Sequence, residues 1–342
     1  MGETADMSRE GASILVTGGA GYIGSHTVKA LTERGARPVV FDNLSSGHRE
    51  ALQWGEFVNG DIRDADALAK AFEEHKIAAV VHFAGLIEVG RSVVAPDLFY
   101  DVNINGTRVL LDAMRRAAIP KLVFSSSAAV YGVGGLSQSH PLIVEDDPKD
   151  PSSPYGDTKL CGEKMIAAYC SAFGMSAVAL RYFNAAGADP EAGIGEAHHP
   201  ETHLIPLAIE SALGVRPALT INGSGYSTPD GTCLRDYIHV NDLAAAHIAA
   251  LEHEQPEGDF AAFNIGTGDG HSVLQVIKAV SNAAGREVPF TLGPPRIGDP
   301  PSLVADPSQA RDILNWNWQY SLDDIVSTAF RWRSSPAYTR LR

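Results

Sequence analysis

Cysteine is scarce in this 342-residue chain: Cys161, Cys170 and Cys233 are the only three, and no two form a CxxC pair. That sets aside a disulfide framework and a cysteine-rich zinc site, and the thiols read as core packing in a reducing compartment. Positive charge is also short. Lys and Arg number 27 against 41 Asp and Glu, a formal net charge of −14, so the surface as a whole repels nucleic acid and anionic lipid. Residues 1–10 carry Glu3, Asp6 and Glu10 without a cationic start or an apolar run, which is the pattern of neither a secretory leader nor a membrane span. They read as a flexible tail, and the expected compartment is the cytoplasm. Internal repeats and low-complexity tracts are missing too.

What is present is an ordinary globular balance, 44% hydrophobic and 20% charged, on a chain long enough for two packed lobes. Short β-branched runs at 13–17, 38–42, 57–60, 78–83, 121–126 and 176–182 alternate with stretches of helical spacing at 26–34, 64–75, 100–118 and 155–173. Strands and helices alternating in this way predict a parallel sheet with helices on both faces. Beyond this the pattern loosens. Pro, Gly and His gather at 187–206, 223–231 and 293–301, bracketed by apolar segments, and these stretches read as ligand-facing loops of a smaller second lobe.

The first chemical signal is Gly18, Gly21 and Gly24, a GxxGxxG pattern between the first strand and the first helix. Such a turn needs residues without Cβ where the backbone approaches a pyrophosphate, and the helix N-terminus offers free N–H groups to it. Glycine turns alone are common; position decides here. Asp42 ends the second strand about twenty residues on, where a carboxylate accepts ribose hydroxyls and repels a 2′-phosphate, favouring NAD over NADP. Asp61 and Ile62 follow the third strand and are placed to flank the adenine, although Asp61 also reads as a solvated turn residue.

The second signal is Tyr155 with Lys159 four residues on, sharing one face at the start of a long helix. An ammonium nearby favours the phenolate and is expected to lower the tyrosine pKa, giving a proton acceptor usable near neutral pH. Ser125, Ser126 and Ser127 end a parallel strand, where ligands bind in open α/β sheets. Each motif alone arises by chance, but the three together form a constellation.

On these motifs the chain resembles the extended short-chain dehydrogenase/reductase family and, within it, the UDP-galactose 4-epimerases. The resemblance runs from about Ser13 to Trp332. It covers TGGAGYIG (17–24), FDN (41–43), HFAGL (82–86), SSSAAVYG (125–132), SPYGDTKL (153–160), LRYFNAAGA (180–188) and RDYIHVNDLA (235–244), with a later loop carrying Arg296 and Asp299. It implies an α/β fold: a Rossmann-type doubly wound parallel sheet over 11–186 with a return segment near 236–265, and a smaller C-terminal α/β substrate lobe over 187–235 and 266–342. It also implies catalysis by Ser127, Tyr155 and Lys159. NAD would lie among Gly18, Gly21, Tyr22, Ile23, Gly24, Asp42, Asn43, Asp61, Ile62, Phe83, Ala84, Asn103, Ser125, Tyr155, Lys159 and Tyr182. A UDP-sugar would meet Ser127, Tyr155, Asn184, His203, Leu204, Asn222, Arg235, Arg296, Asp299 and Leu303. The implied activity is inversion of C4 of a UDP-hexose through a 4-keto intermediate, by a homodimer.

Three positions depart from the family pattern. Ile87 stands where many relatives carry a lysine that meets the NAD pyrophosphate, so either NAD is held less firmly or residues 88–91 compensate. His203 replaces an asparagine beside the UDP phosphates, and its donation there is expected to depend on pH. Leu303 is smaller than the tyrosine of strict glucose/galactose enzymes, which leaves room for UDP-N-acetylhexosamines. The cluster His198, His199 and His203 invites a metal, but Pro200 interrupts helical spacing and no cysteine completes a site. It is read as a polar substrate loop with no metal. Alternatives are a 4-epimerase of UDP-pentoses or UDP-uronates, a nucleotide-sugar dehydratase, and a non-catalytic NAD sensor. Ala128 and Ala129 after Ser127 leave a dehydratase without its extra acid and base.

Overall fold

The computed structural model describes residues 11–132, 141–296 and 299–341; the tail expected at 1–10 and Ile297 and Gly298 lie outside the described residues. The chain first lays down β1 (Ser13–Thr17), α1 (Tyr22–Glu33), β2 (Arg37–Asp42), β3 (Glu56–Asn59), α2 (Ala65–His75) and β4 (Ala79–His82). Two short helices follow, α3 (Val89–Val94) and α4 (Pro96–Phe99), then a π-helix (Tyr100–Asn105), α5 (Gly106–Arg116), β5 (Lys121–Ser127), α6 (Pro154–Phe173) and β6 (Ser176–Tyr182). The single helix expected over 100–118 is therefore broken: its first turns are wound as a π-helix, which periodicity over that length does not distinguish.

The second part begins with β7 (Asn184–Ala186), β8 (Ala188–Asp189), β9 (Ile194–Gly195), α7 (Leu204–Ala212), β10 (Leu219–Asn222), β11 (Leu234–His239), α8 (Val240–Glu252) and β12 (Phe260–Ile265). It ends with β13 (Gly270–Ser272), α9 (Val273–Ala284), β14 (Phe290–Gly293), β15 (Ser302–Leu303), α10 (Ser308–Leu314), α11 (Leu322–Arg333) and α12 (Pro336–Arg340).

Seven parallel strands form the main sheet in the order β12-β6-β5-β4-β1-β2-β3. Its central strands are buried on both faces, as helical layers on both sides require; β1 and β4 are buried throughout. One face packs Leu15, Val80, Leu122, Leu110 and Ile166, and the other packs Val16, Val81, Val123, Leu243 and Leu251. The return to this sheet is made by α8 and β12, while β11 joins a smaller sheet with β7, β13 and β15. A separate core over Ile209, Ile221, Val276, Val280 and Ile325 fills the second lobe.

Topology fixes where a ligand can lie. Strand order reverses between β1 and β4, and a crevice opens outside the carboxyl ends at such a switch point. Gly18, Phe83 and Ala84 line that place.

Candidate active site

At the switch point Gly18 has φ +72, and a Cβ there would come within 2.6 Å of the Ala84 nitrogen. Only glycine lets β1 and β4 close over this turn. A Cβ on Gly24 would meet the Gly18 carbonyl at 2.3 Å, so the third glycine brings α1 against the turn. The helix N-cap is Gly21, which makes no side-chain cap bond, and the first turn holds no acidic residue. The first-turn N–H groups of Tyr22 and Ile23 thus face outward at the positive end of the helix, suited to an anion.

Asp42 reaches this turn from β2, accepting from Ala20 N at 3.0 Å and Leu44 N at 2.8 Å. Burial pushes its carboxyl up from the ordinary range, against the pull of those two bonds. Asn43 donates to Asp61 at 3.0 Å, and Asp61 pairs with Arg63 at 2.7 Å. The Arg63 hydrogen bonds hold Asp61 down at about 2. Ile62 turns its side chain into the core, against Gly106. Tyr22 spends its hydroxyl on the Gly187 carbonyl at 2.7 Å, tying α1 to the second lobe. Ile87 is exposed, and Arg91 beside it is paired to Glu88 at 3.2 Å.

The second half of the site lies at the ends of β5 and β6. Ser153 caps α6 by accepting from Gly156 N, and Pro154 begins the helix, so Tyr155 sits in its first turn. Alternation along β5 puts Ser125 and Ser127 on one face. Ser127 lies near enough to Tyr155 to favour its phenolate, Ser125 hydrogen-bonds to the Tyr182 hydroxyl at 2.6 Å, and Lys159 Nζ donates to the Ser125 carbonyl at 2.8 Å. Ser126 donates instead to Glu163, which grips Arg181 through both oxygens at 2.9 and 2.7 Å and pins α6 to the sheet.

Asn103 joins the halves. From the π-helix its amide nitrogen donates to the Leu86 carbonyl at 3.0 Å and to the Thr158 hydroxyl at 3.0 Å, while its oxygen accepts from Leu86 N at 2.8 Å. Thr158 in turn donates to the Tyr155 carbonyl. The residue expected beside NAD therefore acts on the tyrosine's helix.

The expectation of an acidified phenol needs correcting. Burial raises the Tyr155 pKa above its ordinary value, and Ser127 nearby pulls against it. Lys159 Nζ stands 5.9 Å from the Tyr155 ring centre, its charge directed to the Ser125 carbonyl, and burial pulls its own pKa to about 8.

The remaining residues lie on strands, loops and the start of α7 in the second lobe. Arg235, on β11, donates to the Leu234 and Pro300 carbonyls and pairs with Asp299. With the Asn222 amide turned so that both groups are satisfied, its oxygen accepts from Arg296 Nε and Nη2, both at 3.2 Å. Leu303 sits beside Arg235 in register and packs against the apolar cluster that contains Ala128, Tyr131 and Phe183. Asn184 donates to the Asp236 carbonyl at 2.7 Å, and Leu204 opens α7.

His203 stands apart from this group. Its Nδ1 lies 2.5 Å from Glu196 and 3.5 Å from Glu201. Partial burial pulls its pKa down, but the two carboxylates outweigh that and lift it to about 10, so the switching near neutrality expected from sequence is not its behaviour. Sequence reasoning also passed over Tyr226. Its phenol oxygen is buried without a hydrogen-bond partner among the described residues, in the field of Asp299, Arg235 and Arg296. A tyrosine between Gly-rich turns carried no periodic or motif signal.

Comparison with known proteins bears on this geometry. The NAD dependent epimerase/dehydratase family model matches residues 14–266. The UDP-glucose 4-epimerase of Rhizobium leguminosarum bv. trifolii is 50% identical over 324 residues, 95% of this chain and 98% of that one. The structure of UDP-glucose 4-epimerase from Brucella ovis in complex with NAD superposes with a TM-score of 0.89 at 47% identity, covering 93% of this chain and 97% of that one. A Stenotrophomonas maltophila UDP-glucose 4-epimerase with bound NAD and formylated UDP-arabinopyranose gives 0.91 at 39% identity, with 97% and 100% covered.

Proposed function

The chain belongs to the NAD dependent epimerase/dehydratase family and, within it, to the UDP-glucose 4-epimerases, and from that premise we propose how its residues divide the work. It is an NAD-dependent enzyme that inverts C4 of a UDP-hexose, interconverting UDP-glucose and UDP-galactose through a transient 4-keto sugar. NAD fits the residues present: a turn closed to any Cβ at Gly18, an uncapped α1 N-terminus for the pyrophosphate, and the Asp42 carboxylate for the ribose. When bound, NAD would supply reversible storage of the C4 hydride and a positive charge that favours the phenolate.

The observation that carries the assignment is the convergence of Ser127, at the carboxyl end of β5, with Tyr155 in the first turn of α6, next to Lys159 bound to the Ser125 carbonyl. Tyr155 takes the proton of the 4-hydroxyl, with Ser127 passing it between sugar and phenol, and returns it after the keto sugar has presented its other face. Lys159 holds the Ser125 carbonyl, and with it the strand end on which both hydroxyls depend. Arg235 and Arg296 hold the diphosphate, with Asn222, Asp299, Asn184 and Leu204 around the rest of the handle. Affinity placed on this unreacting part leaves the sugar free to turn over. Ala128 and Ala129 bring no acid or base beside Ser127, which favours inversion over elimination.

Two coarser properties complete the reading. Val89, Val93, Val94, Leu98 and Tyr100 are exposed together on α3, α4 and the π-helix, against α6, and a second copy of the chain covers them in a homodimer. No described helix is long and apolar enough to cross a membrane, and three free cysteines suit the cytoplasm. The test is a panel of UDP-hexoses, UDP-N-acetylhexosamines and UDP-pentoses, incubated with the isolated protein and followed by NMR of the sugar. C4 inversion of UDP-galactose is expected; turnover of pentoses alone would redirect the assignment.

A further inference from the structure

We propose that Glu196, His198, Glu201 and His203 form a binding site for a divalent cation of the zinc class. Each offers one ligand atom, two imidazole nitrogens and two carboxylate oxygens, and all four atoms lie within 4.8 Å of one another. Contacts between them are those of neighbours around a small ion. Glu196 Oε1 is 3.0 Å from His198 Nδ1 and 2.5 Å from His203 Nδ1, and Glu201 Oε1 is 3.5 Å from His203 Nδ1. Zinc held at about 2.0–2.2 Å by four such ligands sets them roughly 3.3–3.6 Å apart, so Glu196 and His203 must part by about an ångström while the wider pairs of the cluster draw in by a similar amount.

Sequence reading set a metal aside because Pro200 breaks helical spacing and no cysteine is near. The structure removes the first objection: His198 and His203 meet across a loop rather than along a helix, and the set is completed by two carboxylates that the histidine spacing does not reveal.

Burial supplies an independent argument. The Glu196 side chain is only 5% exposed, and among the described residues it pairs with no lysine or arginine, only with the two imidazoles. A carboxylate in that position demands positive charge beside it, which the His203 imidazolium or a bound cation can supply. Glu201 is held differently. Arg333, buried, takes the Oε2 of Glu201 and also binds Glu210, which fixes Glu201 with Oε1 turned to His203. That is the outer-shell support a metal ligand needs. Half-exposed His203 gives the ion its way in.

Protons balance simply. The hydrogen that His198 points at Glu196 leaves Nδ1 for Nε2 of the same ring or for solvent; His203, an imidazolium with Nε2 already protonated, releases its Nδ1 hydrogen to solvent, and the freed lone pairs bind the ion. The loop so fixed runs from the edge of the Tyr22 ring, 6.2 Å from His198 between ring centres, to the start of α7 at Leu204. The cation therefore ties the dinucleotide turn to the helix that opens beside the substrate.

Tag-free, NAD-loaded protein is stripped with a chelator, then titrated with Zn²⁺ by calorimetry and with Co²⁺ under visible absorption. Binding of a single equivalent is expected, with Co²⁺ bands of a four-coordinate nitrogen/oxygen site. His198→Gln is expected to weaken Zn²⁺ by more than about tenfold, the cost of losing even an outer-shell partner. Glu196→Gln is the second variant; should it fail to fold, the wild-type Co²⁺ spectrum and His198→Gln decide without it. Equal Zn²⁺ affinity in wild type and His198→Gln, or no Co²⁺ bands in the wild type, overturns the site.

Discussion

Lys159 Nζ donates to the Ser125 carbonyl at 2.8 Å, so the cation one turn from Tyr155 is anchored on the end of β5 and not on the phenol. Two consequences follow from that one bond. The strand end carrying Ser127 is held by α6, and the lysine pays for its burial with a pKa drawn down to about 8.

The pH profile follows with a definite sign. A lysine lowered to about 8 is cationic below that pH and neutral above it. Where the ammonium is required, kcat falls as pH rises through about 8. Measured from pH 6 to 10, that descending limb is expected in the wild type and absent in Lys159→Arg, whose guanidinium stays charged. A limb at the same pH in both proteins assigns it to another group.

Asn103→Ala removes the shared partner of Leu86 and Thr158. Buried polar groups left unpaired cost about 1–3 kcal/mol each. Urea unfolding is expected to show a loss of about 2 kcal/mol, together with a fall in kcat because the first turn of α6 loses its tether to the π-helix. Unchanged stability with unchanged kcat shows that this bridge positions nothing.

Arg235→Ala and Arg296→Ala separate binding from chemistry. Charge-assisted bonds to a diphosphate are worth about 1.5–3 kcal/mol, so KM for the UDP-sugar is expected to rise by about 10- to 100-fold with a smaller change in kcat. Steady-state kinetics with UDP-galactose read the split. A loss confined to kcat places these arginines at the reacting carbon instead.

How far the sequence could be read depends on whether the signal was local. The glycine turn, Asp42 at the end of β2, and Tyr155 with Lys159 on one helical face are short-range patterns, and alternating strands and helices announce the parallel sheet. The π-turns at 100–105 escaped because an apolar spacing of three and four does not report one extra residue per turn. Electrostatics escaped for a different reason. That Lys159 faces a carbonyl, that His203 faces Glu196, and that Arg333 reaches Glu201 across 132 residues are facts of packing, which neighbours in sequence do not encode.

Leu303 tests the size of the sugar pocket. It lies in register with Arg235 and packs against the apolar cluster that contains Ala128 and Phe183, near the strand end that carries Ser127. Leu303→Tyr is expected to abolish inversion of UDP-N-acetylglucosamine and spare that of UDP-galactose, followed by NMR of each sugar. If the wild type leaves UDP-N-acetylglucosamine untouched, Leu303 is no gate.

The most direct experiment compares wild type and Tyr155→Phe on UDP-galactose, with no cofactor added, by following the appearance of UDP-glucose in the proton NMR spectrum. Removing a positioned acid/base costs about 10²- to 10⁴-fold. The wild type is expected to form UDP-glucose, and Tyr155→Phe to be slower by that factor while still binding UDP. Equal rates in the two proteins would contradict the role given to Tyr155.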